Sequence, residues 1–188
     1  MRKYLLEYVM VENIMSKELC RDIIEMTSKC AWKKHTWSNN DYHDVFFSKD
    51  SEEFDIQNSD KDLFELLKPS IITKVERYQD KFGSDGEMLG NFIGKFTSPR
   101  INRYKSGTRI RKHYDHIHSV FADKEGIPVL SFVGLFNDDY EGGKFIVRDK
   151  EFILKRGDII TMPSVFLYPH EVTKITKGTR YSFVSWGF

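Results

Sequence analysis

The chain is poor in cysteine and proline, with two and five of its 188 residues, and it has no long apolar run. Cys20 and Cys30 lie in or near one predicted helix, where their spacing puts them about 15 Å apart. That is beyond the reach of a disulfide, so both read as reduced packing residues. No stretch approaches the roughly 18 apolar residues of a membrane helix, and the opening MRKYLLEYVMVENIM lacks the apolar core and cleavage site of a signal peptide. These absences point to a soluble, cytoplasmic protein. Neither charge is in excess: 29 basic and 28 acidic side chains leave a net +1. No long-range field therefore draws the chain to nucleic acid or to an anionic membrane.

What is present is enough for one domain over residues 1–188, long enough to bury about 70% of the surface of the unfolded chain. Residues 3–11, KYLLEYVMV, suit a strand. Ser16 can cap a helix to about Lys29, with Leu19, Ile23, Ile24 and Met26 on one face. A second helical period runs from Lys61 to about Phe82, and Pro69 must kink it or begin a second helix. Residues 1–85 thus read as mainly helical support. Beyond Gly86 the chain turns to short runs rich in Val, Ile, Phe and Tyr. MLGNFIGKF, SPRINRYK, HYDHIH, PVLSFVGLFN, GKFIVRD, EFILK, DIITMPS and TRYSFVSW are candidate strands, with KRGD a tight turn. About eight antiparallel strands over 86–188 suggest a jelly roll whose mouth holds a site, buttressed by the N-terminal helices. The fold class is α+β dominated by β.

The stretch KHYDHIHS, residues 112–119, places three of the six histidines beside an aspartate. Alternation along a strand puts His113 and Asp115 on one face and His116 and His118 on the other. His113 and Asp115 with the distant His170 would make a 2-His-1-carboxylate triad, the set that leaves open positions on a non-haem iron. Alternatively, His116 and His118 could join His170 in a cupin-type site, although the glutamate that usually follows such a pair is absent. Hydrogen-bonding histidines without a metal, in a non-catalytic β-barrel binding module, are a third reading. Ten residues after His170, Arg180 opens RYSFVSW with Ser182 on the same face. A guanidinium and a hydroxyl so placed suit the distal carboxylate of an oxo-acid cosubstrate, which could not be buried unpaired. This favours the triad.

With RYKSGTRIRKHYDH, LSFVGLFNDDYEGGKF, KRGDIITMPS and YPHEVTKITKGTRYSFVSW in view, the chain resembles the Fe(II)- and 2-oxoglutarate-dependent dioxygenases, specifically compact bacterial and phage-type members of the prolyl 4-hydroxylase-like branch. The resemblance covers about residue 101 to the C-terminus and implies a double-stranded β-helix. It implies Fe(II) on His113, Asp115 and His170, and 2-oxoglutarate on Arg180, with Tyr104 or Ser182 as second contact. It further implies O2 as cosubstrate, succinate and CO2 as products, ascorbate as a possible reductant, and hydroxylation of an unactivated C–H bond in a peptide, amino acid or small molecule. Peptidyl proline is the first expectation. Asp115 separates the chain from related halogenases, which carry a small residue there. Trp186 stands where the nucleic-acid demethylase branch has a second arginine, which speaks against a nucleic-acid substrate.

Other residues invite plainer readings. Asn137, Asp138 and Asp139 suit a turn into EGGKF, and Gly142 and Gly143 a bend or bulge. Trp186 and Tyr168 suit core packing, and the segment with Trp32, His35, Trp37 and His43 has the composition of a lid.

Overall fold

The computed structural model describes residues 2–39, 44–46, 52–83, 93–115 and 127–188. The first half runs α1 (Arg2–Leu5), a 3-10 turn (Leu6–Tyr8), β1 (Met10–Asn13), α2 (Lys17–Ser28), β2 (Lys33–Lys34), β3 (Trp37–Asn39), β4 (Asp44–Phe46), β5 (Asp55–Asn58) and α3 (Lys61–Phe82). Strands follow: β6 (Arg100–Lys105), β7 (Ile110–His113), β8 (Leu130–Leu135), β9 (Glu141–Gly142), β10 (Phe145–Val147), β11 (Lys150–Phe152), β12 (Asp158–Pro163), β13 (His170–Val172), β14 (Ile175–Lys177) and β15 (Thr179–Gly187). The large sheet has the order β1-β12-β8-β15-β6-β5-β2, and a four-stranded sheet has the order β11-β10-β13-β7. Every pairing within these two sheets is antiparallel. Two antiparallel sheets beneath N-terminal helices are the jelly-roll architecture expected from the strand pattern.

Alternation along the large sheet divides its side chains between two cores. Ile101, Phe132, Ile159 and Phe183 point to the helices and pack with Cys20 and Ile23 of α2 and Leu67 and Ile71 of α3. Their strand neighbours Val133, Ile160 and Val184 point the other way and pack with Phe145, Val147 and Val172 of the smaller sheet. Strand β8 is buried along its whole length because both of its faces are covered. Gly134 is essential there, since a Cβ at that position would lie 2.0 Å from the Phe183 ring.

Both long helices begin at side-chain caps, with Ser16 accepting from the Leu19 N–H (3.1 Å) and Asp60 from the Leu63 N–H (2.9 Å). Pro69 neither breaks α3 nor starts a new helix, contrary to one of the two expectations; it lies inside a continuous helix. Pro69 and Glu65 are both exposed, so the Glu65 carbonyl that loses its i+4 donor faces water, and burial of Leu63, Leu67 and Ile71 carries the helix through. Lys74, fully buried on the same helix, is neutralised by Glu12 of β1 at 2.7 Å.

Three expectations need correction. Residues 3–11 are not a strand: the chain coils through α1 and the 3-10 turn, and β1 begins at Met10. Tertiary hydrogen bonds take the carbonyls a strand would have used, since the Tyr168 hydroxyl donates to Leu5 O and the Tyr78 hydroxyl to Tyr8 O, each at 2.8 Å. The described end of MLGNFIGKF forms no strand either; Phe96 makes an isolated bridge to Gly187, while the Gly94 and Lys95 N–H groups both turn to Phe188 O. Cys30 is exposed, its thiol turned to Met26 O (3.5 Å), whereas Cys20 is buried, and both are free thiols. Gly142 and Gly143 take positive φ (79° and 59°) beside an irregular β14–β9 register, as their bend requires.

Candidate active site

His113 and His170 face each other across the β7–β13 pairing, and Asp115 follows two residues after His113. Each of the three offers one ligand atom, all within 4.8 Å of one another. Asp115 Oδ1 lies 3.4 Å from His113 Nε2, and its Oδ2 lies 3.6 Å from His170 Nε2. Both imidazoles turn Nδ1 to a backbone carbonyl two residues earlier, His113 to Arg111 O (2.7 Å) and His170 to Tyr168 O (3.1 Å). A carbonyl only accepts, so Nδ1 carries the proton and the Nε2 lone pair is left for a metal.

Burial by itself would raise the Asp115 pKa, but His170, His113 and a hydrogen bond from Ser131 outweigh it and hold the carboxyl well below its usual range. Burial pushes the His170 pKa down to about 4, with Asp115 opposing, so the imidazole is neutral near pH 7 as a metal ligand must be. The Ser131 hydroxyl donates to Asp115 Oδ2 at 2.7 Å and is itself 2.8 Å from Ser164 Oγ. Two imidazole nitrogens and one carboxylate fit a divalent iron with coordination positions to spare.

Strand pairing sets Arg180 of β15 opposite Tyr104 of β6, and Ser182 opposite Asn102. Arg180 is 1% exposed, its Nη1 donates to Ser182 Oγ at 2.7 Å, and its Cζ sits 5.2 Å from the Tyr104 ring centre. Its Nε and Nη2 are buried and, among the described residues, have no hydrogen-bond partner. A buried guanidinium with two open donors is costly until an anion meets it, and the pair matches the two oxygens of a carboxylate. Tyr104 stacks on Phe54 (centroids 4.4 Å apart), and burial pushes its hydroxyl up to about 12. Arg180 and the His113, Asp115 and His170 cluster line one cavity.

The structure therefore brings His113, Asp115, His170, Arg180, Tyr104 and Ser182 together, with Ser182 already engaged in holding Arg180. His116, His118 and His43 lie outside the described residues. Trp186 and Tyr168 are both packed in the core as expected, and Trp186 also lines the cavity. Two residues of the segment with a lid's composition pack against their neighbours. Trp32 stacks against the Arg103 guanidinium (4.2 Å), and His35 is buried on Phe54 (4.5 Å) with Glu53 beside it (3.1 Å). Asn137 ties its turn, donating to Asp139 Oδ1 and Thr179 O and accepting from the Tyr181 N–H, each at 2.7 Å. Sequence reasoning missed Ser131, Asn102 and Arg100. A polar residue inside the apolar run PVLSFVGLFN was the available signal for the first, and the i, i+2, i+4 alternation Arg100, Asn102, Tyr104 for the others.

Residues 99–188 match the family model described as the 2OG-Fe(II) oxygenase superfamily. A PKHD-type hydroxylase of Delftia acidovorans is 34% identical over 118 residues, 57% of this chain and 50% of the relative. One of Acinetobacter baumannii is 34% identical over 100 residues, 49% of this chain and 43% of the relative. The chain thus spans about half the length of the curated relatives it matches. Among solved structures, a Trichoplax adhaerens prolyl hydroxylase in complex with a hypoxia inducible factor peptide fragment superimposes with a TM-score of 0.71 at 15% identity, covering 98% of this chain and 86% of the other. A Pseudomonas putida prolyl-4-hydroxylase gives 0.65 at 15% identity, covering 100% and 98%. These likenesses establish the fold. The stretch that carries the whole cluster, with Tyr104, His113, Asp115, His170, Arg180 and Ser182, is thus the one that matches the 2OG-Fe(II) oxygenase superfamily.

Proposed function

We propose that the protein is an Fe(II)- and 2-oxoglutarate-dependent hydroxylase, with ascorbate as a supporting reductant. Iron and 2-oxoglutarate, when bound with O2, supply the oxidising power that replaces a C–H with a C–OH while 2-oxoglutarate becomes succinate and CO2. His113, Asp115 and His170 would hold the metal, and the Ser131 hydroxyl fixes the rotamer of Asp115. Arg180 would receive the distal carboxylate on Nε and Nη2, braced by Ser182 and by the Tyr104 ring. Ile110, Val133, Val172 and Val184, which line the same cavity, keep water from the reacting carbon. Peptidyl proline is the first substrate to test, because prolyl hydroxylases share the fold. The free Cys20 and Cys30 suit a reducing cytoplasm as its place of action.

The observation that carries this reading is the placement of an anion-ready arginine in the same cavity as a His, Asp, His cluster. Anaerobic addition of Fe(II) and then 2-oxoglutarate to metal-free protein should produce a visible charge-transfer band that Asp115→Ala lacks. Absence of the band in folded wild-type protein would overturn the proposal.

A further inference from the structure

The cavity contains a second guanidinium that the proposed chemistry leaves unused. Arg100 shares its face of β6 with Asn102 and Tyr104, and its register partner is Val184, whereas Arg180 is opposite Tyr104. Four residues of strand separate the two cations, about 13 Å at the rise of a strand, and both line the cavity that holds the histidine and aspartate cluster. Arg100 is held in place: Asn102 Oδ1 accepts from its Nε at 3.2 Å, and its Cζ lies 5.4 Å from the Trp186 ring centre. Among the described residues no carboxylate forms an ion pair with it. Beside it the Trp186 Nε1–H is buried and finds no acceptor among the described residues.

Charge balance gives this arrangement a direction. In a loaded site the charges of ferrous iron and Arg180 are matched by Asp115 and the two carboxylates of 2-oxoglutarate. Arg100 is then an uncompensated cation in a partly enclosed space, a condition that favours an anionic visitor. With Nε engaged by Asn102, its terminal nitrogens remain for a planar acceptor, which a carboxylate satisfies with two parallel bonds.

We propose that Arg100 receives a carboxylate of the primary substrate, so that the enzyme hydroxylates acidic molecules. These are either a free or N-acylated amino acid bearing its own carboxylate, or a peptide with an acidic side chain next to the target. This rests on the hydroxylase reading and names its substrate class.

The test uses protein loaded with Zn(II) in place of iron and saturated with 2-oxoglutarate, which occupies Arg180. Ligand-observed NMR titrations then compare L-proline, N-acetyl-L-proline and the peptide acetyl-Asp-Pro-Gly-amide with L-prolinamide, N-acetyl-L-prolinamide and acetyl-Asn-Pro-Gly-amide. At least one acid should bind roughly tenfold or more tightly than its amide, and Arg100→Gln should erase that preference while Arg100→Lys keeps part of it. A preference in the first two pairs assigns the carboxylate to the amino acid itself, and one in the third assigns it to a peptide side chain. No preference in any pair, or a preference that survives Arg100→Gln, overturns the assignment. Should Arg100→Gln not fold, the wild-type comparison decides alone. The preceding 2-oxoglutarate titration separates the two readings: no binding there sinks the hydroxylase proposal, whereas binding without acid selectivity sinks only the role of Arg100.

Discussion

Replacing Arg180 with methionine should leave the resting protein at least as stable and yet remove its response to 2-oxoglutarate. The side chain is 1% exposed and bonds Ser182 through one nitrogen, while two others have no partner among the described residues. Exchanging a buried charge for an apolar group of similar volume is typically neutral or stabilising by about 1–4 kcal/mol. The bond lost by Ser182 takes back about 1 kcal/mol. The liganded state behaves differently. For the wild type with Mn(II), 2-oxoglutarate at one hundred times its Kd adds about 2.7 kcal/mol, roughly 5–11 °C in Tm for a chain of this size. Losing the paired charged hydrogen bonds costs about 3 kcal/mol, or ~150-fold in Kd. At the same ligand concentration the variant should therefore shift by less than about 1 °C. Differential scanning fluorimetry of both proteins, with and without 2-oxoglutarate, reads all four states. A resting Arg180→Met protein weaker by more than about 3 kcal/mol would mean that the guanidinium is already paired, and an undiminished ligand shift would mean that 2-oxoglutarate sits elsewhere.

Ser131→Ala removes the 2.7 Å hydrogen bond to Asp115, and loss of such a support should lower Fe(II) or Zn(II) affinity by roughly 10- to 100-fold; a metal titration showing no change would reduce Ser131 to packing. The metal-free protein should weaken in acid: burial lowers the pKa of His35 to about 3 and of His170 to about 4, from 6.5. Between those values and 6.5 the unfolded chain binds more protons than the folded one, so stability rises with pH through that window and is lost on descending it. Urea midpoints at pH 7 and pH 4.5 should differ clearly, and equal midpoints would place both imidazoles in contact with water.

The triad was legible from the His113-x-Asp115 spacing and from His170 and Arg180 following in an arrangement that gives a buried carboxylate a partner, although the strand expected through HYDHIH ends at His113 and Asp115 lies just beyond it. Ser131 and Arg100 were not legible, because their meaning depends on which strands become neighbours. A serine in an apolar run acquires its role only when β8 passes behind Asp115, and Arg100 reads as a surface residue until β6 is set beside β15. The N-terminal error has the same origin: KYLLEYVMV has a strand's composition, but hydroxyls 70 and 163 residues away claim its carbonyls. Helix α3 was readable to the residue because caps and period are local properties.

Tyr168 joins two ends of the molecule. Its carbonyl orients the His170 ring, and its hydroxyl grips the carbonyl of Leu5. The opening residues thus act as a tether on the loop that leads into the strand carrying His170, and trimming them should release that loop on the far side of the sequence. The stretch that matches the family begins at residue 99, but the mechanical integrity of its centre is owed in part to residues that the match does not include.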